Sequence, residues 1–329
     1  MLQRSAENRH LRPVAGTLEN SHAFLTIADA RSLHNGLCSR RCFVWGFATS
    51  IVTIPLAAQQ SPRRIVSTAP SITEALFALS LGDQVVGVSR YCNYPPQVSK
   101  LPKVGSYVKP DLEAIARLAP SLVVLQNAAS DVTDRLKALR IAFVEVPHGS
   151  LEDVFTGIQI MGASTGVTDR SARLVAQIRS SLEKIQFKAR TMPSPRVIAI
   201  LNRRPGTLTD LTAVGPDNYV NQILEIAGAT NILAKVGLPR YPHISLETVL
   251  RENPDVILDL SSLQDTEAMR QSARPAVLSL WRENRTLKAV QSGHVYFGTS
   301  NALLVPGPRA PEAAEMLLAF MHNGAGEQS

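Results

Sequence analysis

Apolar residues along this chain alternate between two rhythms. Arg64-Ile65-Val66-Ser67 is a short buried-strand run, and Ala69-Pro70-Ser71 turns the chain. Ser71 with Glu74 three residues later has the pattern of a capping box. Ile72, Ala75, Leu76 and Leu79 then recur at helical spacing until Gly82 ends the helix. Val85–Val88 is the next strand, and Tyr91–Tyr107 is loop-rich, with Pro95, Pro96, Pro102 and Gly105. Asp111 to Pro120 is a short helix closed by proline, followed by a strand over Leu122–Leu125, a helix near Val132–Leu139 and a strand over Ala142–Val146. Strand and helix alternate throughout, which predicts βαβ units and a largely parallel sheet.

The order then repeats. Arg196–Ile200 is a first strand, Tyr219–Ile226 a helix stopped at Gly228, Ser245–Pro254 a second proline-closed helix, and Val256–Leu258 a strand. A constant shift of 134 residues pairs Leu112 with Leu246, Glu113 with Glu247, Arg117 with Arg251 and Pro120 with Pro254. Four identities could arise by chance, but the shared element order on both sides argues for a repeated unit. Between the halves, Leu151, Val154, Ile158 and Met161, then Leu174, Ile178, Leu182 and Ile185, form one helical pattern over 151–190 with a break expected within Gly162–Asp169. The expected fold is α/β: two Rossmann-like lobes (63–148 and 195–322), each with a central parallel sheet, joined by one long inter-lobe helix (151–190).

Composition trims the function classes. The 329 residues are 45% apolar and carry a formal charge of +7. Residues 1–58 hold six arginines against Glu7, Glu19 and Asp29, and the rest of the chain has 28 basic and 24 acidic groups. These are scattered, without the concentrated basic face of a nucleic-acid binder. No apolar run reaches the roughly 20 residues of a membrane span, so a multi-span membrane protein is excluded. Cys38 and Cys42 lie near the start and Cys92 stands alone in the body, so the body has no internal disulfide and no zinc spacing.

The first 58 residues read as a leader. Arg40 and Arg41 precede an uncharged stretch from Cys42 to Ala58 that ends in Pro-Leu-Ala-Ala, the layout of a secretory signal. Ser39-Arg40-Arg41-Cys42-Phe43-Val44 also resembles a twin-arginine export signature, and cleavage is expected near Ala58. The alternative is an uncleaved anchor. Residues 1–38, with His10, His22 and His34, show no sustained periodicity. They read either as a misassigned start, with translation beginning near Leu33 or Leu37, or as a disordered head.

The body resembles the class III periplasmic binding proteins, which feed importers of cobalamin, haem and iron–siderophores, and within them the cobalamin-binding branch. The resemblance covers 63–322. It is carried by Arg64-Ile65-Val66-Ser67 with Pro70 and Thr73-Glu74, and by Val86-Gly87-Val88-Ser89-Arg90-Tyr91-Cys92-Asn93-Tyr94-Pro95-Pro96. Leu112-Glu113, Asn221-Gln222-Ile223-Leu224-Glu225 and Thr299-Ser300 complete it. It implies a ligand in the inter-lobe cleft, held by Tyr91, Tyr107 and Tyr241. Gln126 and Asn301 are expected at the ligand too, Gln126 where that branch carries a tryptophan and Asn301 where it carries an acid, while Val305 stands where it carries an arginine. It also implies that Glu113 and Glu247 dock on a dimeric ABC permease with its ATPase subunits, and that the protein is periplasmic and a monomer.

A flat macrocycle rimmed with amides suits broad aromatic faces that also offer a hydroxyl. Haem is the alternative ligand, and would take an axial ligand from Tyr91, Tyr241, His148 or His243. An anionic ferric siderophore would use Arg203, Arg204, Arg240 and Arg309, unless these are solvated surface charges. An exported hydrolase is the runner-up from another class. Yet there is no Gly-x-Ser-x-Gly elbow, phosphate loop or His-Glu-x-x-His, so no catalytic residue, resident cofactor or metal is expected.

Overall fold

A computed structural model describes residues 63–126, 130–261, 267–298 and 300–322, all within one of the two units into which the chain divides, Ala58–Ser329. The leader readings over 1–58 and Thr299 of the family motif lie outside the described residues. Among the described residues, no helix is long and apolar enough to cross a membrane.

The first half contains β1 (Ile65–Ser67), α1 (Pro70–Ala78), β2 (Val85–Val88), α2 (Leu112–Arg117), β3 (Leu122–Gln126), α3 (Ser130–Ala138) and β4 (Phe143–Val146). Its sheet runs β2-β1-β3-β4 and every pairing is parallel. Side chains alternate between two apolar layers, as strand geometry dictates. Ile65 and Val124 face one core, while Val66, Val123 and Leu125 face another with Ile115 and Leu136.

The helical span over 151–190 resolves into α4 (Leu151–Thr165) and α5 (Thr168–Ala189) at the expected break. Gly166 takes φ +76° as the left-handed cap that ends α4. The two helices pack closely, because a methyl group on Gly162 would overlap Ser171. α4 lies against β4 and α1. α5, at 22 residues the longest described helix, has Val175, Ile178, Leu182 and Ile185 on one buried stripe.

The second half contains β5 (Arg196–Asn202), β6 (Leu211–Ala213), α6 (Tyr219–Ile226), β7 (Thr230–Asn231), β8 (His243–Ile244), α7 (Leu246–Glu252) and β9 (Val256–Asp259). It is completed by α8 (Glu267–Arg282), α9 (Lys288–Gln291), β10 (Val295–Phe297) and α10 (Ala310–His322). The sheet runs β10-β9-β5-β6-β8, with β7 also on β5. It is parallel through β10, β9, β5 and β7, but β6 and β8 are antiparallel additions that the pattern did not reveal. α10 packs on α5 and α6. One continuous apolar core therefore runs from Ile65 and Ile72 through Ile178 and Leu182 to Val197, Leu224 and Leu317.

The capping box expected at Ser71 and Glu74 is not formed. α1 starts at Pro70 with Ala69 as an N-cap that makes no side-chain bond, so Ser71 is already inside the helix. Glu74 is buried and bonded elsewhere. A capping box forms instead between Ser150 and Asp153 at the start of α4, where each side chain accepts from the other residue's backbone N–H.

Candidate functional site

In parallel sheets, ligand crevices form beyond the carboxyl ends of the strands. A cavity of about 390 Å³ lies there, lined from both halves. Pro70 and Ser71 follow β1, Tyr91 and Asn93 follow β2, Gln126 ends β3, and His148 and Gly149 follow β4. Leu201 near the end of β5, Tyr219 and Val220 of α6, Tyr241 ahead of β8, and Asn301 with Leu304–Pro306 after β10 form the other wall. A groove of about 440 Å³ between α5 and α10 is slightly larger, but none of its lining residues follows the carboxyl end of a strand. The strand-end cavity is therefore the candidate site.

All five residues expected at a ligand, Tyr91, Tyr107, Gln126, Tyr241 and Asn301, line this one cavity. The tyrosines are about half exposed, so their faces are available. Tyr91 and Tyr107 stand together, ring centroids 5.7 Å apart at 56°, and the Arg90 guanidinium lies 6.0 Å from the Tyr91 ring. The backbone explains this pairing. Arg90 N–H donates to the Gly105 carbonyl (2.8 Å), tying the two loops, and Tyr107 sits in a turn in which Lys109 N–H donates to Ser106 Oγ (2.9 Å). Gly105, at φ +87°, permits that turn, and a side chain there would meet the backbone of Lys109 and Asp111.

Tyr241 is held from both sides. The Arg240 carbonyl accepts from Gly215 N–H (3.0 Å) and Asn218 Nδ2 (3.1 Å), and the Pro242 carbonyl accepts from Ala213 N–H (2.9 Å). Asn218 is buried and also caps α6 through Asn221 N–H (3.0 Å). The same backbone frame fixes His148, since the following Gly149 carbonyl accepts from Tyr219 N–H (2.7 Å). His148 itself is exposed.

Under the cavity lies a buried polar group. Arg309 donates to both Glu74 carboxylate oxygens, Nε to Oε2 (2.8 Å) and Nη2 to Oε1 (2.6 Å), and Nη2 also donates to Asn301 Oδ1 (2.9 Å). Burial pushes the Glu74 carboxyl above its ordinary range, and the Arg309 fork opposes it. Tyr219 is buried with its hydroxyl donating to the Ala302 carbonyl (3.3 Å); burial and then the nearby Glu74 push that phenol up. Neither Arg309 nor Arg203 is a solvated surface charge, nor a free anion ligand. Arg203 donates to Asp259 Oδ2 (3.0 Å) in the interior of the second half, and Arg204 pairs with Asp210 at the surface. The described lining thus contains no Asp, Glu, Lys or Arg. Among the described residues, no cluster of three His, Cys, Asp or Glu could hold a metal ion.

Sequence reasoning missed Ser71, Asn93, Tyr219, Leu304 and Pro306 as lining residues, although it had singled out Val305 between the last two. The one signal available for the first two was their place just past β1 and β2. Glu113 and Glu247 stand outside the cavity, both exposed, and His243 is not among its lining residues, with Nδ1 3.3 Å from Thr212 Oγ1.

Comparison with known proteins follows the same lines. The sequence profile of a family described as periplasmic binding protein matches residues 65–302. An uncharacterized ABC transporter substrate-binding lipoprotein, YvrC of Bacillus subtilis (strain 168), is 28% identical over 265 residues, 79% of this chain and 80% of that protein. The vitamin B12-binding protein of Vibrio parahaemolyticus is 25% identical over 258 residues, 78% and 88% of the two chains. Among solved structures, the periplasmic heme-binding protein RhuT from Roseiflexus sp. RS-1, in apo form, matches with a TM-score of 0.68 at 25% identity, covering 79% of this chain and 98% of that one. The periplasmic vitamin B12 binding protein BtuF of Vibrio cholerae has a TM-score of 0.65 at 23% identity and shares the fold over 81% of this chain and 99% of that one.

Proposed function

Because the chain belongs to the periplasmic binding protein family, we propose that it is the substrate-binding component of an ABC importer and that it captures a corrinoid, cobalamin, in the cavity between its halves. One observation carries the choice of ligand class: three half-exposed tyrosines and the amides of Asn93, Gln126 and Asn301 line a cavity whose described lining contains no Asp, Glu, Lys or Arg. A corrin offers an apolar face to the rings and a rim of neutral amides to the polar groups. An anionic ferric siderophore would need clustered free arginines; of the four considered, Arg203, Arg204 and Arg309 are already bonded to carboxylates, which leaves Arg240 beside the cavity.

Haem is the second reading, and His148 and Tyr241 favour it. Both line the cavity, and either can ligate iron. Arg90 and Arg240, each exposed and next to a cavity tyrosine, would then meet the haem carboxylates at the mouth.

In this reading the leader exports the protein and is removed near Ala58, the body works as a monomer, and Glu113 and Glu247 dock on the permease dimer. The relatives named above are binding proteins, and the role proposed is capture and delivery without catalysis. Calorimetric titration with cyanocobalamin, haemin and a ferric siderophore side by side tests the proposal. Cyanocobalamin binding supports it, selective haemin binding transfers the assignment to haem, and binding of none of the three overturns both.

A further inference from the structure

We infer that Arg309 is a positioning residue for the ligand: it clasps the two halves beneath the cavity and turns the Asn301 amide so that its NH2 group faces the ligand. The inference rests on the cavity being the ligand site.

The side chains concerned are withdrawn from water, with Glu74 1% and Arg309 11% exposed. Glu74 comes from α1 in the first half, and Arg309 immediately precedes α10 in the second. The guanidinium has its Cζ 4.1 Å from the centre of the Tyr94 ring, on the same loop as Tyr91 and Asn93. Its Nη1 is 3.7 Å from Glu312 Oε1, which accepts from Ser300 Oγ (3.4 Å). One cation therefore ties together α1, the loop after β2 and the loop after β10. These segments supply Ser71, Tyr91, Asn93 and Asn301 to the cavity.

Removing two charges from water costs about as much as their pairing returns, so the clasp adds little net stability. Its effect is directional. A guanidinium carries only donors, so the atom that Asn301 turns toward Arg309 must be the acceptor Oδ1, as the 2.9 Å contact requires. An amide is planar with its two polar atoms on opposite sides. Oδ1 is spent on Arg309, leaving Nδ2, with two hydrogens, to serve the cavity. No described residue accepts from Nδ2. The site therefore offers a fixed donor at this point, which selects a ligand rim that accepts, such as an amide carbonyl or a carboxylate. It discriminates against a rim that can only donate, because a buried donor without a partner is costly.

Calorimetry with cyanocobalamin on the full protein tests this with a double-mutant cycle. Asn301→Asp keeps the bond from Arg309 and removes the donor. The branch that carries an acid at this position also carries an arginine where this chain has Val305, so here the acid stands without that arginine and should weaken binding roughly ten- to hundred-fold. Arg309→Lys keeps a cation for Glu74 but its side chain ends one atom short of Nη2, the atom that serves Asn301. It should weaken binding about tenfold when residue 301 is Asn and hardly at all in an Asn301→Ala background, because Arg309 acts through Asn301. Equal loss in both backgrounds, or native affinity in Asn301→Asp, overturns the inference while leaving the corrinoid reading intact. If the wild type binds neither cyanocobalamin nor haemin, the ligand reading falls, and the ligand-free protein decides the orientation. The Asn301 side-chain NH2 resonance, identified by its loss in Asn301→Asp, should then shift in Arg309→Lys, and an unmoved resonance overturns the inference.

Discussion

Glu113 on α2 and Glu247 on α7 occupy the same helical position, one in each half. Each is the second residue of its helix and follows an N-cap whose side chain accepts a backbone N–H, Asp111 from Ala114 (3.0 Å) and Ser245 from Thr248 (3.3 Å). The cap is already supplied, so neither glutamate is needed to close its helix. Glu113 is 91% exposed and only 3.9 Å from Arg117, a pair of little energetic weight. Two equivalent acids on a two-lobed protein suit a twofold permease bearing arginines. Glu113→Arg or Glu247→Arg is expected to leave ligand affinity and melting temperature nearly unchanged and to abolish stimulation of the permease ATPase. Normal transport by the double variant would reduce both residues to helix-dipole partners.

Tyr91 and Tyr241 approach the cavity from opposite halves, and neither ring is buried in its own half. Tyr91→Ala or Tyr241→Ala should each weaken cyanocobalamin binding by about 1–3 kcal/mol, the usual loss for an aromatic anchor. Calorimetry gives the affinity, and circular dichroism should stay native. Unchanged affinity in both would remove the tyrosines from the site.

Asp259 ends β9 fully buried and accepts from Arg203 Nε (3.0 Å), Trp281 Nε1 (2.9 Å) and Ser261 Oγ (2.6 Å). Asp259→Ala strands a buried guanidinium and an indole N–H together, and should cost about 3–5 kcal/mol by urea denaturation. Asp259→Asn keeps the shape and should cost less. Equal losses in the two variants would show that charge, not shape, decides.

Lys235 Nζ donates to Glu252 (2.8 Å) and holds its carboxyl below the ordinary carboxylate range, with Arg251 and Arg196 assisting. A carboxyl lowered by folding stabilises the fold at pH values above the ordinary carboxylate range, and that contribution is lost as pH falls through the folded value. Glu252→Gln should therefore lower stability at neutral pH by about 0.2–1 kcal/mol, as befits a partner as exposed as Lys235. The variant and wild type should converge in acid. Melting curves that stay apart below pH 3 would contradict this.

Export gives a prediction from sequence alone. Replacing both Arg40 and Arg41 with Lys preserves charge but removes the guanidinium pair that a twin-arginine receptor would read. The precursor should remain in the cytoplasm, whereas mature protein from the wild type should begin near Gln59. Normal export of the variant would point to the general secretory route.

The parallel framework was legible because its strands are apolar runs set between helical patterns closed by Gly or Pro. The helix expected over Tyr219–Ile226 has those bounds, and the Leu122 and Val256 strands lie where the 134-residue shift puts them. β6 (Leu211-Thr212-Ala213) and β8 (His243-Ile244) are as short as β1 but lack an apolar run such as its Ile65-Val66, so nothing marked them as strands. Glu74 was misread for a different reason. Its spacing from Ser71 fits a local cap, but its partner is Arg309, 235 residues away, and no local pattern encodes that. The site residues came from motif resemblance and share one cavity. Ser71, Asn93 and Tyr219 escaped because their role depends on where the strands end in space.

The uninterrupted core through α5 has a kinetic consequence. Swinging the halves apart as a hinge would expose Ile178, Leu182 and their neighbours to water, a cost that opposes wide opening of the cavity. In the role proposed above, empty and loaded carriers would then present similar faces to a permease and compete for it. Uptake would follow the ratio of loaded to empty protein in the compartment, so that overproducing the carrier at a fixed ligand supply slows transport instead of speeding it.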